Sequence, residues 1–171
     1  LCLISLVNIY PTQKIFLSKL KNESQMSKKK LAISDQDLKI ITDTVFGEAA
    51  GSDEETQKMI IRSMFNRKLS GRSKEFGKDF NEISKKGYYA AKNPNIPYKQ
   101  AISGKFPDLK SKATHAKIRK MTEAIHGDED YGAELFYFTP PEKNKLTKNK
   151  SFNFKIVKPT GKVGIYETFA Y

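Results

Sequence analysis

The chain has 171 residues, the size of a single domain at roughly 100–200 residues per domain. Its 31 Lys and Arg outnumber 19 Asp and Glu for a formal charge of +12, while 38% hydrophobic and 11% aromatic content is too rich for an unstructured basic arm. Cys2 is the only cysteine, which excludes a disulfide framework, a Cys-rich zinc site and a CxxC redox centre.

Residues 1–30 read as an N-terminal extension and linker. Their apolar start, residues 1–9, is broken by Ser5 and Asn8 and is far shorter than the roughly 20 residues a membrane-spanning helix needs. It suits either the trimmed end of a signal peptide or sequence upstream of a start at Met26, the second being preferred. Lys28, Lys29 and Lys30 close this polar stretch. The functional domain is expected over residues 31–171.

A first helix is predicted from residue 35, with Ser34 as N-cap, Asp37 three residues on, and Leu38, Ile41 and Val45 on one apolar stripe. Asp37 and Asp43 fall off that stripe or at the welcoming N-terminal end. Glu48 continues the stripe, seven residues after Ile41 and three after Val45. It therefore points inward in the last turn, where the macrodipole and the apolar surroundings both disfavour its charge. A carboxyl group kept protonated near neutral pH is what a general acid requires, and glycoside cleavage commonly uses one. The alternative is a glutamate that reaches out to water from a frayed helix end.

The second helix opens at Ser52-Asp53-Glu54-Glu55, read as a capping box, and runs to Leu69 through Ile60, Ile61, Met64 and Phe65. Gln57 lies inside its apolar stripe. A buried amide needs partners, either on the loop that carries Glu48 or in a core or capping bond. Asn66 and Arg67 fit C-terminal capping or a reach to ligand. Residues 71–107, punctuated by Gly, Asn and Pro, read as irregular. A third helix follows over residues 111–125, with Ile118, Met121 and Ile125 inward and Gly127 at C′; His115 is placed on its surface and His126 in its dipole-favoured last turn. Strands are predicted at 135–138, 152–157 and 163–169, separated by Pro140-Pro141, a lysine-rich loop and Pro159-Thr160-Gly161. The fold class is α+β, a mainly helical body with a small antiparallel sheet late in the chain.

Charge is unevenly distributed. Residues 67–120 carry 15 basic and 4 acidic side chains, whereas residues 31–66 carry 3 and 7. Such a cationic body attracts an anionic polymer. A nucleic-acid-binding or packaging protein is the competing class, weakened because only Arg62, Arg67, Arg72 and Arg119 are arginines and no nucleic-acid-binding signature appears. A third reading is a catalytically dead wall-binding or virion protein.

The string Val45-Phe46-Gly47-Glu48-Ala49-Ala50-Gly51, then Gln57, then Asn66-Arg67, resembles the opening motif of the SleB-type, spore-cortex-lytic cell-wall hydrolases. The similarity continues through Gly87-Tyr88-Tyr89, where that family tends to show Gly-Gln-Phe, Gly127, the run from Gly132 to Pro140, and the terminal stretch after Val163. The resemblance implies a lysozyme-like fold and cleavage of the peptidoglycan glycan strand between muramic acid and glucosamine, by hydrolysis or lytic transglycosylation. It implies Glu48 as the single acid/base; no cofactor and no metal are expected for the chain. Asp53, Glu54 and Glu55, the nearest acids in sequence, are better explained by helix capping. Gln57, Asn66, Arg67, Tyr88, Tyr89 and Tyr137 are the candidate substrate-binding residues, the tyrosines as platforms for sugar rings. Related bacteriophage proteins imply a virion-associated or lysis role at the bacterial cell wall, with other virion proteins as partners. The chain departs from the family in Ala50, Ser52 and Tyr88, and in Tyr166 and Glu167 near an expected His.

Overall fold

A computed structural model describes residues 31–129, 131–148 and 152–171, so the extension expected over residues 1–30 lies outside the described residues. Helix α1 (Asp35–Ala49) starts at Ser34, whose hydroxyl accepts from the Asp37 amide while the Asp37 carboxylate takes the Ser34 amide, the reciprocal capping box expected. Ile41 and Val45 are fully buried on its inner stripe. Helix α2 (Glu54–Leu69) is capped by Asp53, which accepts from the Thr56 amide at 2.8 Å. The cap is therefore one residue later than the Ser52 box predicted, because the carboxylate of Asp53 is the acceptor.

The stretch read as irregular forms four short helices, α3 (Ser73–Phe76), α4 (Phe80–Gly87), α5 (Tyr89–Lys92) and α6 (Ile96–Ser103). Each is too short for periodicity to register, yet Asp79 and Asn95 mark two starts as side-chain caps. Helix α7 (Leu109–Asp128) is longer than predicted, capped by Asp108, and passes through Gly127; Glu129, at φ 55°, ends it instead. Helix α1 is the central element, packed against α2, α4, α6 and α7.

Strands β1 (Phe136–Phe138), β2 (Lys158–Val163) and β3 (Tyr166–Ala170) form one antiparallel sheet in the order β1-β3-β2. The predicted strand at 152–157 is not one. Phe152 and Phe154 pack onto Phe138 at centroid distances of 5.1 and 5.5 Å, so their alternation records burial in an aromatic cluster rather than a ladder. The Pro159-Thr160-Gly161 segment, read as a separator, lies within β2, an edge strand where proline is tolerated. The predicted strand at 163–169 turns at Gly164, φ 55°, and only its second part is β3. Pro140-Pro141 opens an eighth helix among the described residues, α8 (Pro140–Lys148), where the first helical positions suit proline. No helix among the described residues is long and apolar enough to cross a membrane.

Candidate active site

Glu48 occupies the last turn of α1, half-buried, and its Oε1 accepts a 2.5 Å hydrogen bond from the Ala90 amide at the start of α5. Removal from water raises its pKa above 4.5 against the opposing pull of the Ala90 and Tyr89 amides and the Arg67 charge; the Glu142 carboxylate pushes it further up. The side chain is thus held by the backbone, biased toward its protonated form and partly open.

Gly47 makes this approach possible. A Cβ there would meet the Tyr98 Cβ at 2.8 Å and the Ala90 Cβ at 2.9 Å. The missing side chain lets α5 and α6 close directly onto α1. Asn95, which also caps α6 through the Tyr98 amide, donates to the Gly47 carbonyl at 2.8 Å.

Gln57 is buried, and its Nε2 donates to the Ala49 carbonyl at 2.9 Å and the Ser52 carbonyl at 3.3 Å. Of the two roles open to it, the structure favours the partner on the Glu48 loop, so it braces that turn and is not exposed to substrate. Gln57→Leu removes the donor and leaves two carbonyls short. A loss of about 1–3 kcal/mol is expected, read as a lower urea midpoint.

Three other candidate contacts are consumed inside the fold. Asn66 donates to the carbonyls of Tyr131 at 2.8 Å and Glu134 at 3.0 Å; it staples the approach to β1 rather than capping α2. Arg67, 7% exposed, donates Nε to the Leu135 carbonyl and lies over the Tyr88 ring at 4.7 Å. A methyl group on Gly87 would run into its Nη1. Tyr88, 2% exposed, shares a 2.6 Å hydrogen bond with Ser63, so the ring expected as a sugar platform has no open face.

Tyr89 remains available, whereas Tyr137 sits among other tyrosine rings. Tyr89 is 72% exposed, directly before the Ala90 amide that holds Glu48. Tyr137, half-buried on β1, lies 5.6 Å from Tyr166 and 6.4 Å from Tyr88 between ring centroids. Its hydroxyl is pushed well above the ordinary tyrosine range, chiefly by burial, with the negative charge of Glu48 contributing. Tyr166 is raised for the same reasons, with Glu142 and Glu48 both adding to the effect.

Glu142 was missed in the sequence. It sits in the first turn of α8, where its Oε2 accepts from the Thr139 amide at 2.8 Å and the Thr139 hydroxyl at 2.7 Å. The pattern Thr139-Pro140-Pro141-Glu142 has the spacing of a capping box with proline inside it, a legible signal obscured by the lysine-rich run that follows. Of the three acids nearest in sequence, Asp53 caps α2, while Glu54 and Glu55 pair with lysines. Asp53 is lowered, first by the Thr56 amide, and Glu54 is brought down to about 2 by hydrogen bonds from Lys117 and Lys58.

Two polar residues differ from expectation on the far side of α1. Asp43 is 4% exposed, bound to Lys39 and to His115 Nε2 at 2.8 Å. His115 is therefore not a free surface residue; its ring packs against Phe46 and Phe106. A groove of about 400 Å³ lies between the end of α1 and the start of α7, lined by Phe46, Ala50 and Gly51 with Asp108, Ser111 and Thr114, and Glu48 does not line it. Compared with known proteins, the chain matches no family model, no curated protein and no solved structure.

Proposed function

We propose that residues 31–171 form a lysozyme-like domain of SleB type that cleaves the glycan strand of peptidoglycan, with Glu48 as the single proton donor and acceptor. The observation that carries this reading is the setting of Glu48: an inward carboxyl on the last turn of the central helix, raised by burial and pinned by the Ala90 amide. The motif around Gly47-Glu48-Ala49, the bracing role of Gln57 and the exposed Tyr89 support it.

In the forward step, protonated Glu48 gives its proton to the glycosidic oxygen as that bond breaks, and positive charge develops at the anomeric carbon of the muramic acid that stays behind. The leaving sugar departs as an alcohol. Glu48, now anionic, is received by the Ala90 amide, which stabilises the charge without reorganisation. It then takes a proton from water, giving hydrolysis, or from the muramic 6-hydroxyl, giving a 1,6-anhydro ring. Tyr89 offers an open ring face for a sugar. Burial is the main cause that keeps the Glu48 proton on, and the like charge of Glu142 adds to it. That the enzyme is carried in a phage particle or released at lysis, acting on the bacterial wall beside other virion proteins, belongs to the same proposal.

The test is clearing of purified sacculi by the full chain across pH. Activity is expected to fall as pH rises through the raised pKa of Glu48, since only the protonated acid starts the reaction. Glu142→Gln removes the like charge and lowers that pKa, so the alkaline limb should move to lower pH. An unmoved limb would show that Glu142 does not act on the proton donor, and no clearing at any pH would remove the enzyme reading.

A further inference from the structure

Between α2 and α7 lies a groove of about 430 Å³ whose walls carry four cations, Lys58 and Arg62 from α2 and Lys117 and Lys120 from α7. Two acids also line it, Glu54 and Asp128. Glu54 binds Lys58 and Lys117 at 2.8 Å each, and Lys58 also pairs with Glu55 at 3.1 Å. Among the described residues no acid forms an ion pair with Arg62 or Lys120.

Arg62 is anomalous in a second, independent way. Its Nε is shut off from solvent and has no hydrogen-bond partner. A buried donor on a charged group left unmet is unfavourable, and the remaining N–H groups of the guanidinium suit the oxygens of a phosphate. The groove therefore presents the Arg62 guanidinium and the Lys120 ammonium, neither paired with an acid among the described residues, and an apolar wall from Met121 and Ile125.

We infer that this groove binds an anionic wall polymer of repeating phosphodiester units, with Arg62 and Lys120 holding a phosphate. The choice of a wall polymer rests on the glycan-cleaving reading above. Nucleic acid is the less suited polyanion, because no aromatic side chain lines the groove and base binding draws on stacking platforms. Glu54 opens α2 six residues after Glu48 in the sequence. Polymer held in the groove would keep the domain on the wall without occupying the cleavage site.

The experiment titrates the full chain against a fluorescently labelled poly(glycerol phosphate) oligomer by anisotropy, beside a single-stranded oligonucleotide carrying the same number of phosphates. Arg62→Gln with Lys120→Gln should weaken poly(glycerol phosphate) binding about tenfold or more, the loss of one charged hydrogen-bonded contact. Lys85→Gln with Lys105→Gln removes the same charge from exposed sites outside the groove and should change binding little. Lys120→Gln alone, at an exposed position, keeps the test valid if the double variant unfolds, and should also weaken binding. Equal weakening by the two pairs, no weakening by either Lys120 variant, or tighter Arg62-dependent binding of the oligonucleotide would each overturn the inference. On sacculi stripped of phosphate polymers, the Arg62 and Lys120 variants should clear at the wild-type rate, and a loss there would also contradict it. Glu48→Gln should bind the oligomer normally, so a failure of the cleavage reading is distinguishable from a failure of the groove.

Discussion

Glu48→Gln is expected to abolish clearing of purified sacculi, with a rate loss of about 10²–10⁴, the contribution of a positioned general acid. The substitution is close to isosteric, and the amide oxygen of glutamine can still accept from Ala90, so the fold should be kept. Stability should move in the opposite direction to activity. Burial raises the pKa of Glu48 above 4.5, so the folded protein binds that proton more tightly than the unfolded chain. Its stabilising effect is complete below about 4.5 and is lost as pH rises through the raised value. Glutamine has no charge to bury and suffers no such loss. Denaturant midpoints measured at acidic and neutral pH should therefore show the variant gaining on wild type as pH increases. An inactive variant that is also destabilised at every pH would point instead to a structural carboxylate.

Gly47→Ala is expected to damage both stability and activity. The added methyl would fall 2.8 Å from the Tyr98 Cβ and 2.9 Å from the Ala90 Cβ, and neither atom is the mobile tip of a side chain. Helices α5 and α6 must back away from α1. Overpacking of this kind costs about 1–3 kcal/mol, which thermal unfolding would register. The larger effect is chemical, because Ala90 supplies the amide that positions Glu48, and a displacement of about 1 Å in a catalytic contact can cost about 10²-fold. Gly51→Ala is the control, since a Cβ there meets nothing within 4 Å. If both variants clear sacculi equally, the close approach of α5 to α1 is irrelevant to function.

The parts of the molecule that were legible in the sequence are those whose signal is local and repeated. Ser34 with Asp37 announced α1, and the inward stripe of Ile41 and Val45 carried on to Glu48. Gln57 was conspicuous because an amide at an apolar position must find partners, and it finds them on the loop after Glu48. What could not be read depends on contacts between distant segments. The Ala90 amide reaches Glu48 from 42 residues away, and nothing in Tyr89-Ala90-Ala91 marks it as a carboxylate clasp. Arg67 and Tyr88 look like ligand contacts until each is found covering the other. Glu142 joins the site only because β1 pairs with β3 and α8 follows at once. The sheet misled for a simpler reason: Phe152 and Phe154 alternate as a strand would, while the strand that exists contains Pro159 and Gly161 and so lacks the usual composition.

The account stands or falls on glycan chemistry initiated by one carboxyl group. The most direct measurement is mass spectrometry of the soluble fragments released when purified sacculi are incubated with the full chain and, separately, with Glu48→Gln. Cleaved glycan fragments bearing new reducing or 1,6-anhydro muramic ends are predicted for the wild type and none for the variant. Intact glycan strands after incubation with folded wild-type protein, or the same fragments from both proteins, would contradict it.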